Sequence, residues 1–420
     1  MSVLKKSPSD LPLPEDLANE ILYGATKNLE RSLNFISKAL SGREEIRKYL
    51  RNELIKQNLI KRLPNRTSKL RVVEGVDGGY KSHRTLAFQI LAFGVVGYSP
   101  FHPNYNQKLR KFVLAVPSLM SDFSQTILKG LTALYEFAMA HTSDSELIIM
   151  DGSFITFLTS LNSFYARVVN NPNDSAVLAI RDLIDPTSND PNNIYKFATS
   201  TRFLINTLTV NITPRTSKYI VAIPKGSGTS SALKHILDNA IPLSNPPTIA
   251  GQSFKDYLIS HYTDRMLFTL ILGEQEYFYY YINQKSLTNG HEANLARTAN
   301  NLRPQDADDV EKFYDEKDNY SGRGGFTYVF YRPHKWAPTY KVEIPGKVPT
   351  DVIDEILLRL KDSVVDPSIA EHYEQYMADK IVKQVAKSTR AIIGASISSL
   401  SQSLGPDIVR MLLSSYRTER

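Results

Sequence analysis

The sequence predicts an α/β fold in which a mixed sheet is flanked by helices. The apolar run Leu147–Met150 is typical of a strand buried on both faces, and it stops at Asp151 followed by a glycine. An earlier segment, residues 72–79, has the same design and carries Asp77 before two glycines. Between the two, residues 121–141 repeat apolar side chains at helical spacing. These three observations set the fold class.

Further segments complete the sheet and its helices. Ser121 is suited to cap the helix 121–141, and the polar residues 81–84 form a predicted turn between the first two strands. The order strand, strand, strand, helix, strand places acids on the first strand, the helix and the fourth strand. The predicted strands are 71–77, 85–98, 112–116, 147–150, 219–223, 276–282, 326–332 and 339–344, and the later helices are 264–272, 351–360 and 369–393.

The chain is predicted to have four regions. Residues 1–13 are rich in Ser, Pro and Lys and are predicted to be disordered. A helix pair follows, because Pro14 and two acids suit a helix start. Gly405 and Pro406 are expected to break the last helix. The remaining ranges are 14–65 for the N-terminal helices, 70–390 for the main domain with insertions at 161–212 and 283–325, and 391–420 for the C-terminal helix.

The composition is that of a soluble globular protein, with 420 residues, 42% hydrophobic and 22% charged. The chain has no cysteine, which excludes disulfides and thiolate metal sites. The N-terminus has no apolar core of a secretory signal, and the longest apolar run, residues 86–96, is too short to cross a bilayer. We therefore expect a cytoplasmic protein with no membrane contact. A net charge of +7 mildly favours a polyanionic partner.

The acids at the strand ends predict a metal site. If Asp77 and Asp151 lie side by side, their like charges need a cation. Glu136 on the helix 121–141 can reach the same strand ends, and three carboxylates suit Mg²⁺ or Mn²⁺ rather than Zn²⁺. Phosphodiester hydrolysis is the reaction that such ions fit best. The alternatives are that each Asp only begins an Asp-Gly turn and that Glu136 faces solvent.

Basic and hydroxyl side chains near these strands are candidates for binding DNA or phosphate: Lys225, Ser227, Lys81 and Arg84. Lys225 and Ser227 belong to residues 224–230, which are not a Walker loop because the lysine precedes the glycines. The same segment could be a plain turn. The aromatic run 277–281 could stack bases, or it could form sheet core and edge.

The order of elements, with acids at these three places, resembles the ribonuclease H-like fold. More narrowly, the sequence resembles the NurA family of DNA-end-processing nucleases. The matching segments lie in residues 70–390: Val76-Asp77-Gly78-Gly79, residues 147–153, residues 221–225, Asp264-Arg265 before residues 272–274, and residues 328–331 before 342–345.

The resemblance implies a Mn²⁺- or Mg²⁺-dependent exo- or endonuclease acting on DNA, with Asp77, Glu136 and Asp151 as metal-binding acids. It also implies a catalytic histidine at a helix start, and His372 has the matching spacing from Pro367. Two family tyrosines are replaced here by Val364 and Asp366. DNA-end repair and defence against foreign DNA are both compatible with this resemblance.

The resemblance further implies a partner, a HerA-type hexameric ATPase. The chain has no Walker loop of its own, so the energy for moving DNA would come from another chain. An apolar stripe in residues 392–413 favours a homodimer, although it could instead cap the chain's own core.

Two other functions remain open on the sequence. An actin-like or sugar-kinase-like ATPase could bind phosphate at residues 76–80, but it normally needs a second Asp-x-Gly-Gly loop, which the sequence lacks. A catalytically silent nuclease-fold subunit is the other alternative, and retention of the three acids argues against it.

Overall fold

The computed structural model describes residues 43–84, 89–184, 218–225, 243–249, 251–283 and 325–384, with a few isolated positions elsewhere. Contacts group the chain into two compact units. One contains Met1–Asn58 and Gly228–Ile271, and the other contains Leu59–Ser227 and Leu272–Arg420. The predicted ranges 14–65 and 70–390 divide the chain differently, because residues 228–271 group with the N-terminal helix.

The larger unit is built on a nine-stranded mixed sheet with the order β1-β9-β10-β11-β6-β5-β2-β3-β4. Its strands are β1 (Ile60–Arg62), β2 (Val73–Arg84), β3 (Gln89–Tyr98), β4 (Leu109–Ser118), β5 (Leu147–Met150), β6 (Tyr219–Ala222), β9 (Glu276–Asn283), β10 (Gly325–Arg332) and β11 (Tyr340–Pro345). The helices of this unit are α2 (Ser124–His141), α3 (Phe154–Asn170), α4 (Ser175–Ile184), α7 (Thr350–Ser363) and α8 (residues 373–384).

The predicted order of elements is confirmed. Strands β2, β3 and β4 form an antiparallel meander, and β5 and β6 run parallel to β2. Helix α2 connects β4 to β5 as a crossover. The remaining strands extend the sheet through β11, which is antiparallel to β6. The predicted mixed sheet with flanking helices is therefore confirmed.

Two predicted boundaries were wrong. Residues 81–84 are not a turn, because β2 continues through Gly78 and Gly79 to Arg84, paired with β3 along its length. Paired glycines can lie in extended backbone as readily as in a turn, so the pattern alone could not separate the two. Helix α2 begins at Ser124 rather than Ser121, whose hydroxyl instead accepts the Phe123 N–H at 3.1 Å.

Helices cover both faces of the sheet. On one face, Gly130 of α2 lies against Phe164 of α3. On the other, Ile353 of α7 joins a buried cluster with β-strand side chains, and Val382 of α8 packs on Val96 of β3. Because side chains alternate along a strand, β2 presents successive residues to α2 and to α8 in turn.

The aromatic run on β9 belongs to the sheet core. Tyr277, Phe278 and Tyr280 are buried, and Tyr280 stacks on Tyr328 of β10 with ring centroids 5.4 Å apart. Of the two sequence interpretations, sheet packing is the one that these contacts support.

The smaller unit contains α1 (Arg43–Lys56), the two-stranded sheet of β7 (Thr248–Ile249) and β8 (Gln252–Ser253), α5 (Phe254–His261) and α6 (Asp264–Ile271). Tyr49 of α1 packs edge-on against Phe254 of α5, with ring centroids 4.9 Å apart. Arg51 caps the end of α6 by donating a 2.7 Å hydrogen bond to the Ile271 carbonyl.

Several predicted features lie outside the described residues. They include the disordered N-terminus 1–13, most of the first predicted helix, much of the insertions 161–212 and 283–325, Ser227, and the C-terminal helix except isolated positions. Among the helices that the structure describes, none combines the length and apolar character needed to cross a bilayer.

Candidate metal centre

The parallel pairing of β2 and β5 brings Asp77 and Asp151 together. Val76 is in register with Met150, and the Asp151 N–H donates a 3.0 Å hydrogen bond to the Val76 carbonyl. Asp77 follows Val76 and Asp151 follows Met150, so the two aspartates are neighbours. Gly152 follows with φ of +144°, a conformation that glycine adopts readily and that ends the strand abruptly before α3.

Glu136 approaches the same place from α2, on the other face of β2. Its side chain is buried and lies against Gly78, where a Cβ atom would overlap the Glu136 carboxylate. Glycine at residue 78 therefore allows the Glu136 carboxylate to pack directly against the β2 backbone next to Asp77. Glu136 does not face solvent.

Asp379 of α8 is a third aspartate at the site, and the sequence did not predict it. Asp77, Asp151 and Asp379 each offer a carboxylate oxygen, and these oxygens all lie within 4.8 Å of one another. Asp77 shares a face of β2 with Gly75 and Gly79, which contact α8. An acid on the apolar side of α8, next to the buried Ala378, was the one local signal that could have identified Asp379.

Two polar side chains hold the cluster. The Lys225 ammonium lies 2.6 Å from Asp151 Oδ2, 3.3 Å from Glu371 Oε2 and 3.6 Å from Asp379 Oδ1. Gln375 Nε2 donates hydrogen bonds of 2.8 Å to Asp151 Oδ1 and 2.9 Å to the Ile223 carbonyl. The structure thus places Lys225, predicted to bind phosphate, in direct contact with Asp151, one of the predicted metal ligands.

Burial and nearby negative charge raise the pKa values of three of these acids, Asp77, Glu136 and Asp151. Burial, then the nearby Asp151 charge, raise the pKa of Asp77 to about 8, against the opposing effect of Lys225. Burial and the charges of Asp77 and Asp151 hold the pKa of Glu136 well above its usual range. Burial likewise raises the pKa of Asp151. One lysine does not offset the clustered charge, which is the condition that a divalent cation relieves.

The donor set fits a hard divalent cation. All the acids that converge here offer carboxylate oxygen, and Mg²⁺ and Mn²⁺ prefer that ligand. Asp77, Asp151 and Asp379 would hold such an ion, with Glu136 beside them.

The fold is shared with a nuclease of known structure. The NurA nuclease from Sulfolobus solfataricus aligns over 92% of this chain and 98% of its own, with 11% identity and a TM-score of 0.50. The chain has the NurA fold. Another NurA structure aligns over 88% and 97% with 14% identity and a TM-score of 0.45, and a NurA bound to dAMP and manganese aligns over 83% and 92% with 12% identity and a TM-score of 0.41. No family model and no curated protein matches the sequence.

The NurA resemblance that the sequence predicted is thus confirmed at the level of the fold. In the structure His372 lies at the start of α8, where the Tyr376 N–H donates a 2.9 Å hydrogen bond to the His372 carbonyl. The imidazole is fully buried, with Nε2 2.5 Å from the Tyr331 hydroxyl and its ring 4.8 Å from that of Tyr340. Among the described residues, the cluster whose ligand atoms lie within 4.8 Å of one another does not include His372.

Two other predicted DNA-binding residues, Lys81 and Arg84, lie apart from this cluster, and Ser227 lies outside the described residues. Lys81 and Arg84 follow Asp77 along β2, and Arg84 is exposed. At the usual rise of a strand, Lys81 stands about 13 Å along β2 from Asp77. Neither Lys81 nor Arg84 contacts the acids in the way that Lys225 does.

Proposed function

We propose that this protein is a divalent-metal-dependent nuclease that hydrolyses phosphodiester bonds in DNA. One observation carries the proposal. Carboxylate oxygens of Asp77, Asp151 and Asp379 converge within 4.8 Å on a sheet with the NurA fold. The structural likeness to the NurA nuclease from Sulfolobus solfataricus supports a nuclease over an ATPase built on a related sheet.

Each side chain has a distinct task in this proposal. Asp77, Asp151 and Asp379 hold Mn²⁺ or Mg²⁺, and Glu136 adds charge from the opposite face of β2. A bound divalent ion neutralises phosphate charge and makes attack by water easier. Gln375 fixes the Asp151 carboxylate through its 2.8 Å hydrogen bond, so that the ligand oxygen is already oriented before substrate binds.

A cleavage assay tests the proposal. Linear and circular DNA, single- and double-stranded, are incubated with the purified protein and Mn²⁺, Mg²⁺ or a chelator. Cleavage that requires the ion and disappears in Asp151→Asn supports the proposal, and Asp362→Asn, an exposed acid on α7, is the control. If no DNA is cut with any ion, the nuclease is rejected. ATP turnover by the same preparation, measured in parallel, would instead favour the ATPase.

The partner proposed from the sequence is a HerA-type hexameric ATPase, with this chain acting as a homodimer in DNA-end repair or in defence against foreign DNA. The support is the absence of a Walker loop in the chain and the apolar stripe of residues 392–413. Light scattering measures the oligomeric state, and pull-down with and without residues 395–420 tests docking. A monomer that neither binds the ATPase nor is stimulated by it contradicts this assembly.

A further inference from the structure

Lys225 is held as a cation inside the acidic site rather than as a surface side chain. Its ammonium contacts carboxylates from three different parts of the fold: Asp151 after β5, Glu371 before α8 and Asp379 within α8. The side chain is only about a third exposed, at 31%. Three carboxylates around one cation, contributed by separate elements, are the arrangement that otherwise surrounds a metal ion.

The position of Lys225 is set by the sheet. Met150 is in register with Ala222 on the parallel pair β5 and β6, so Ile223 lies beside Asp151. Gln375 bonds both the Ile223 carbonyl and Asp151 Oδ1, which ties the two strand ends together. Pro224 restricts the backbone between this tie and Lys225. The backbone that leads to Lys225 is thus held by Gln375 at Ile223 and restricted by Pro224, and this fixes the ammonium next to the acids.

We propose that the Lys225 ammonium occupies the second cation position of the site, so that the protein binds one divalent ion and uses Lys225 in place of another. This inference rests on the proposed function. The single ion lies among Asp77, Asp151 and Asp379, and the ammonium is held by Asp151, Glu371 and Asp379. A phosphate entering the site is then met by the ion on one side and by Lys225 on the other.

Charge repulsion explains why the Lys225 ammonium and a second divalent ion exclude each other. A second divalent ion among Asp151, Glu371 and Asp379 would lie within a few ångströms of the ammonium, where like charges repel strongly. Lys225 is covalently attached, so it stays at the site at any metal concentration and in the presence of a chelator. Removal of the ammonium leaves these three carboxylates without their shared cation, and a second divalent ion can then take its place.

Binding stoichiometry tests this directly. Mn²⁺ is titrated into the full-length protein without DNA, and the bound ions per chain are counted by calorimetry and by the electron paramagnetic resonance signal of free Mn²⁺. We expect one ion per chain in the wild type and two in Lys225→Met. Lys380→Met, which removes an exposed lysine from the same helix as Asp379, should still bind one ion. Lys225→Arg keeps the charge and should also bind one.

The outcomes separate this inference from the proposed function. An unchanged stoichiometry in Lys225→Met overturns the inference, even if the wild type cleaves DNA. A wild type that binds no ion rejects the metal-dependent nuclease. In that case, binding of one ion by Lys225→Met would still support the inference that the Lys225 ammonium occupies a cation position. Melting of each metal-free variant shows that it is folded. Lys225→Met should melt below Lys380→Met and regain the difference when Mn²⁺ is added.

Discussion

Glu136 packs against Gly78 so closely that residue 78 has no room for a side chain. A Cβ atom there would overlap Glu136 Oε1 and Thr132 Cγ2 and would lie 2.9 Å from the Glu136 carboxyl carbon. Glu136 comes from α2 on one face of β2, and Asp77 points to α8 on the other. Because residue 78 has no side chain, the Glu136 carboxylate can lie close enough to Asp77 for the Asp77 charge to raise the pKa of Glu136.

Replacement of Gly78 by alanine should displace Glu136 and slow metal-dependent cleavage. We also expect a loss of stability of about 1–3 kcal/mol, the usual cost of overpacking a buried position. Gly79→Ala is the matched control, because its Cβ would meet Val382 Cγ2 at 3.4 Å, an ordinary contact. Cleavage rates and chemical denaturation of the two variants provide the comparison. Equal cleavage by both would show that Glu136 does not serve the site.

The metal-free protein should become less stable as the pH rises. Burial and Asp151 raise the pKa of Asp77 from 3.8 to about 8, so the folded protein holds this proton more tightly than the unfolded chain does. The resulting stabilisation is complete below the unfolded pKa and is lost as the pH rises through the folded pKa. The melting temperature in a chelator should therefore fall between about pH 5 and about pH 8.5.

Two comparisons isolate the cause of that pH dependence. Asp77→Asn cannot ionise at this position, so its melting temperature should fall less steeply over the same range. Added Mn²⁺ should raise the wild-type melting temperature most at high pH, where the carboxylates are charged and bind metal without first releasing protons. A wild-type profile as flat as that of Asp77→Asn would contradict the raised pKa.

Asp379→Asn should weaken Mn²⁺ binding while leaving the fold intact. Loss of a side chain that only supports a metal ligand commonly costs about 10- to 100-fold in metal affinity, and we expect at least that loss for Asp379, which is a proposed ligand. Calorimetric titration gives the affinity, and Asp362→Asn on α7 serves as the exposed control. If Asp379→Asn binds Mn²⁺ like the wild type, Asp379 serves only as an ion-pair partner of Lys225 and of Lys383, whose ammonium lies 2.6 Å from Asp379 Oδ2.

The sequence predicted those parts of the site that are local to a strand. Asp151 follows four apolar residues, and this pattern alone indicates a buried strand with an acid at its end. Asp379 and Lys225 have no such local signature. Lys225 meets Asp151 only because β6 lies beside β5, and Asp379 meets Asp77 only because α8 crosses the sheet. Both relationships depend on tertiary packing between distant segments, which spacing along the chain does not encode.

Tertiary packing also explains why β2 extends to Arg84 rather than ending at Asp77 as predicted. Gly78 and Gly79 were interpreted as the exit of a strand, since glycine pairs are common in turns. In the fold they lie mid-strand, where Gly78 gives room to Glu136 and Gly79 faces Val382 of α8. The close approach of Glu136, rather than a turn, is what requires glycine at residue 78.

His372 provides the last prediction, because its catalytic and positioning roles lead to different results. The buried imidazole bonds Tyr331 at 2.5 Å, packs on Tyr340 and begins the helix that carries Gln375 and Asp379. If His372 positions that helix, His372→Ala leaves a cavity and an unpaired hydroxyl. The free energy of unfolding should then fall by about 2–4 kcal/mol.

In that case cleavage and Mn²⁺ affinity should fall together, because the same helix carries the ligand Asp379. Tyr331→Phe, which removes only the hydrogen bond to Nε2, should reproduce part of both losses. Denaturation, Mn²⁺ titration and cleavage are measured on the same preparations. A His372→Ala protein that is as stable as the wild type and binds Mn²⁺ normally, yet does not cut DNA, would assign the imidazole to the reaction itself, as the family resemblance implied.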